Sequence, residues 1–159
     1  MCPRKNTLKP VPFIDVNIIG ITTTMPDYKL AWNINTKLGI KLVKLKDILP
    51  AGLNGEFAYA FYLYDDGENS NNYNLVSIND KGAKWLKLPM TTDYMLIIRN
   101  SIHDEKLNDI LKTIRKTEQL VHAFLIEQEG IKGIDPLLEQ IELHEMEMMK
   151  NTNKRLARK

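Results

Sequence analysis

The chain has almost no cysteine. Cys2 is the single one among 159 residues, so an internal disulfide and a thiolate metal cluster are both excluded, and a reducing compartment fits. Long apolar runs are missing as well. No stretch approaches the roughly 18 residues of a membrane span. Arg4 and Lys5 are followed by the interruptions Pro10 and Pro12 rather than by an apolar segment, which argues against a secretory signal. A cytoplasmic protein with no membrane association is expected. An excess of one charge is lacking too: the formal net charge is +2, too small to argue for nucleic acid by itself.

Chemical signatures are equally sparse. Neither GxxxxGK[ST] nor GxGxxG occurs, and GLNG (52–55) and GIKG (130–133) read as turns. His103, His122 and His144 stand far apart, with no partner histidine or cysteine at ligand spacing. His144 with Glu145 and Glu147 reads as a solvated helix face, and His122, between Val121 and Ala123, as a partly buried strand residue. DDGEN (65–69) lacks EF-hand spacing, and no GxSxG elbow is present. No catalytic residue, metal or cofactor is expected, and the chain reads as a non-enzyme.

What the sequence does contain is a 43% apolar composition, enough for a packed core, arranged in recognisable periods. FIDVNIIGITTT (13–24) is β-branched and reads as a strand. Pro26 and Gly39 bracket a helix whose Leu30, Ile34 and Leu38 share one face. KLVKLKDI (41–48) reads as an edge strand because of its lysines, and FAYAFYLY (57–64) as a strong strand. YNLVSIND (73–80) returns after a polar turn, and TDYMLIIRN (92–100) reads as central. Ser101 and Asp104 are candidate caps for a helix with Leu107, Ile110, Leu111 and Ile114 on one side, and LVHAFLIE (120–127) is the last strand.

This order predicts an α+β fold: a ferredoxin-like-related antiparallel or mixed sheet with two helices packed on one face, plus an appended C-terminal amphipathic helix. The expected division is a flexible basic N-terminus (1–12), the α+β domain (13–127), a linker (128–133), the helix (134–150) and a basic tail (151–159). Asp135-Pro136 is a favourable helix start. The helix carries an apolar stripe that includes Leu137, Leu138, Ile141, Met148 and Met149.

Residues 20–48, GITTTMPDYKLAWNINTKLGIKLVKLKDI, together with TDYMLIIRN, its following helix and LVHAFLIE, resemble the bacterial IPExxxVDY family, uncharacterised in activity. The resemblance covers roughly 13–127. Asp93 and Tyr94 match the end of the naming motif, Thr92 stands for its valine, and Leu88-Pro89 aligns with Ile-Pro only across a gap, with Met90 for the glutamate. The resemblance implies no activity, and the missing glutamate speaks against an essential acid there. Asp93 reads as a turn cap and Tyr94 as a packed ring with its hydroxyl at the rim.

Two functional readings remain. The leading one is a non-enzymatic protein–protein interaction or adaptor role, with an unidentified partner or a second copy docking on Leu137, Leu138, Ile141, Met148 and Met149. Methionine suits adaptable contacts, although the same stripe would also serve to cover an open sheet face. The other is RNA binding, with Phe57, Tyr59 and Phe61 stacking bases and Lys154, Arg155 and Arg158 attracting phosphate. A strand with those aromatics turned into the core would look the same.

Overall fold

The computed structural model describes residues 15–50, 57–65, 71–88, 90–129 and 131–157, with 151–157 described as helical backbone. Its elements run β1 (Val16–Thr23), α1 (Asp27–Leu38), β2 (Val43–Ile48), β3 (Tyr59–Asp65), β4 (Asn72–Ser77), β5 (Asn79–Asp80), β6 (Ala83–Lys84), β7 (Tyr94–Arg99), α2 (Asp104–Arg115), β8 (Leu120–Ile126) and α3 (Ile134–Ala157). Six strands form one sheet in the order β2-β3-β4-β7-β1-β8, and every pairing in it is antiparallel. The expected α+β architecture with a C-terminal helix is present. β2 through β7 is a meander, α1 carries the chain across it, and α2 carries β7 over β1 to the far edge. β2 does lie at an edge and β7 in the interior.

α1 ends as its sequence dictates. Gly39 adopts φ 69°, a left-handed conformation open to glycine, and its N–H and that of Ile40 close on the Asn35 carbonyl. α2 buries Leu107, Ile110, Leu111 and Ile114, the four positions of its apolar period, but starts after His103 with no side-chain cap, so neither Ser101 nor Asp104 serves as one. Both helices pack on the sheet face formed by Ile19, Ile21, Tyr62, Leu75, Leu96 and Ile98. One small feature has no counterpart among the elements expected from sequence. Asn79–Asp80 and Ala83–Lys84 form a separate hairpin, turned by Lys81 and Gly82 at φ 53° and 89°, the positive pair a tight primed turn needs.

The opposite face, Ile18, Ile48, Phe61, Val76, Met95 and Ile97, is covered by α3, which contributes Ile134, Leu137, Leu138 and Ile141, all buried. The helix set apart from the 13–127 domain therefore shares a core with it, and it runs on to Ala157 rather than ending near residue 150. The molecule has three layers, α1 and α2, the sheet, and α3. Central strands buried on both faces explain the uninterrupted apolar runs IIGI and MLII.

Candidate interaction surfaces

The polar clusters come first, because they would carry any chemistry. Asp27 opens α1 and accepts a hydrogen bond from the Tyr62 hydroxyl (2.7 Å) while pairing with Lys44 of β2 (2.9 Å). Burial opposes its charge, but the Tyr62 and Lys44 hydrogen bonds prevail and hold the carboxyl below its ordinary value. Burial, with Asp27 alongside, pushes the Tyr62 phenol up. Tyr94, buried beside the same carboxylate, is pushed up to about 12, and its hydroxyl donates to the Met25 carbonyl (2.8 Å).

Asp93 is a junction. Its Oδ2 accepts the Thr23 backbone N–H (3.1 Å) where β1 ends, and its Oδ1 accepts from Asn79 Nδ2 (3.0 Å) and faces Lys84 Nζ (3.4 Å) on the small hairpin. Its own backbone joins β1 to the end of β4: the N–H donates to Ile21 and the carbonyl accepts from Ile78. Asp93 and Tyr94 together pin the β1–α1 connection. On the other face, Glu145 of α3 meets Arg99 (3.1 Å) and Asn74 (3.1 Å), largely shielded from solvent. His144 donates from Nε2 to the Lys46 carbonyl (2.7 Å) and sets its ring edge-on to Phe61 at 4.9 Å. His144 and Glu145 thus dock α3 on the sheet rather than forming a solvated face, and His122 is exposed rather than partly buried. Apart from the buried Asn74 Oδ1, which has no hydrogen-bond partner, the polar groups of these clusters are engaged by other parts of the same chain. Among the described residues, no three His, Cys, Asp or Glu side chains converge as metal ligands, and no helix is long and apolar enough to cross a membrane.

The residues singled out from sequence are dispersed by this arrangement. Leu137, Leu138 and Ile141 are buried against the sheet, so their selection as partner contacts is corrected: the sheet is what they cover. Met148 is half-buried and Met149 exposed. The base-stacking strand is corrected for the same reason, since Tyr59 and Phe61 are fully buried, Tyr59 stacks on Trp85 at 5.3 Å, and Phe57 is half-buried before β3 begins. Lys154 and Arg155 fall in the last turns of α3, where the helical backbone alone is described, and Arg158 lies outside the described residues.

What α3 leaves open is its other side. Leu143 and Met146 are 57% and 55% exposed, and Leu143 lines a groove of about 530 Å³ with Ile48, Leu49, Pro136 and His144. Leu49 is exposed too. Glu139, Glu142 and Glu147 stand along the same solvent side of the helix. The sequence held a signal for Leu143. It lies two residues after Ile141, about 200° around the helix, and so cannot belong to the same stripe.

Compared with known proteins, the chain matches no family model, no curated protein and no solved structure.

Proposed function

We propose that this protein is a non-enzymatic interaction module that docks an amphipathic, basic segment of another protein along the outer side of α3. The observation that carries the reading is the exposed row Leu49, Leu143 and Met146 beside an apolar groove, rimmed by Glu139, Glu142 and Glu147. Exposed apolar side chains clustered within a polar rim mark contact sites. A groove beside a helix suits a partner helix better than a broad flat surface, and the glutamates favour lysine or arginine at its borders. The polar clusters inside the molecule support the non-enzymatic part, since their charged groups are paired within the chain itself. The IPExxxVDY resemblance, and with it a bacterial and cytoplasmic setting, belongs to this proposal on the residues alone and adds no activity.

The test is capture from cells with the tagged full-length chain, with ribonuclease present, beside Leu143→Glu/Met146→Glu. Both positions face solvent, so the variant keeps its fold. The proposal expects a defined protein retained by the parent and absent with the variant. An identical set of captured proteins for both would refute it.

A further inference from the structure

We infer that α1 and the edge strand β2 form a docking face for single-stranded nucleic acid, a surface separate from the α3 groove. Tyr28 and Trp32 are 69% and 65% exposed. They lie four residues apart on α1, so their rings leave the same side of the helix about 6 Å apart along its axis. The other tryptophan, Trp85, is by contrast stacked on a buried tyrosine.

The stretch of chain that carries the two rings bears charge of one sign. From Tyr28 to Lys46 the chain has five lysines, Lys29, Lys37, Lys41, Lys44 and Lys46, with no aspartate or glutamate between them, and all five are exposed. α1 and β2 are held side by side at two points. Lys44 pairs with Asp27, and Asn35 both accepts the Leu42 N–H (2.8 Å) and donates to the Leu42 carbonyl (3.2 Å). Two aspartates flank the stretch: Asp27 is engaged by Lys44 and Tyr62, and Asp47, half-buried near the end of β2, also acts on Lys44.

Lysines on an edge strand also discourage pairing with a second strand. That purpose accounts for Lys44 and Lys46 but not for two bare aromatic rings on the neighbouring helix. Rings beside cations match a ligand with flat, stackable groups on an anionic backbone. A duplex hides its base faces, so the match is to an unpaired strand. An acidic peptide would meet the lysines and leave the rings idle.

The experiment is fluorescence anisotropy of the full-length protein with labelled single-stranded RNA and DNA of about a dozen nucleotides, and with a duplex of the same sequence. Each would be measured at about 50 and 200 mM salt. Binding should favour the single strands, quench Trp32 and weaken with salt. Trp32→Ala should weaken binding roughly tenfold or more, and Trp32→Phe should keep most of the affinity. Replacing Lys29 and Lys41 by glutamine should flatten the salt slope by roughly 0.7 for each phosphate no longer neutralised. Absence of binding at the lower salt would overturn the inference. So would an unchanged Trp32→Ala, equal affinity for the duplex, or displacement by polyglutamate as effective as by unlabelled strand.

Discussion

Ile141→Ala should be among the most damaging single substitutions in this protein, although it lies in a helix that follows the last strand. Ile141 is 0% exposed and packs in the cluster formed by Ile18, Ile48, Phe61, Val76, Met95 and Ile97. Truncation removes three carbons, about 0.8 kcal/mol each in transfer free energy. The cavity left between a helix and a sheet adds to this because neither can collapse fully, so the sum is about 3–4 kcal/mol. Leu143→Ala, two residues along and 57% exposed, should change stability by no more than about 0.5 kcal/mol. Urea unfolding of both variants beside the parent reads the difference as a midpoint shift at constant m-value. If Ile141→Ala were as mild as Leu143→Ala, α3 would not be seated on the sheet and its apolar stripe would have to face something else.

Other consequences follow from the polar junctions. Asp93→Ala strips the acceptor from the buried Thr23 N–H and from Asn79, and should cost about 2–4 kcal/mol by the same unfolding assay; Asp93→Asn should recover part of this. Tyr94 has its pKa raised from 10.0 to about 12, so the unfolded chain ionises first. Stability is intact below pH 10 and falls by roughly 2–3 kcal/mol as pH rises from 10 to 12. Tyr94→Phe should abolish that alkaline component. The lowered Asp27 pKa acts at the other end: its contribution is present above the ordinary value of 3.8 and is lost as pH falls below it. Gly20→Ala would set a Cβ 2.8 Å from the Phe124 ring and should destabilise by about 1 kcal/mol, with part regained in Gly20→Ala/Phe124→Leu as a thermal-melt readout.

Much of the fold was legible in the sequence because its signals are local. Pro26 and Gly39 bracket α1, the four-residue apolar period of α2 is the set it buries, and the lysines of β2 mark an edge. The position of α3 was not legible. A helical period shows that a helix has an apolar side, but not which surface of the molecule that side meets. The same gap misplaced the candidate contacts. Tyr59, Phe61 and Tyr62 are all buried because β3 is covered on both faces, one by α3 and the other by the α1 side, so their alternation carried no information about solvent. Once α3 is seated, Leu143 and Met146 fall on its open side, and among the described residues the bare aromatics are Tyr28 and Trp32 on α1. Both surfaces depend on which elements pack together, and that is the part a single sequence states least directly.

Both the buried stripe of α3 and the docking side proposed for it depend on α3 belonging to the core. Native-state hydrogen exchange tests it most directly. The amides of residues 138–145 in α3 should exchange as slowly as those of Leu96–Ile98 in β7, through the same global opening. Exchange in α3 that is fast and independent of β7 would contradict it, and would make Leu137, Leu138 and Ile141 open to a partner after all.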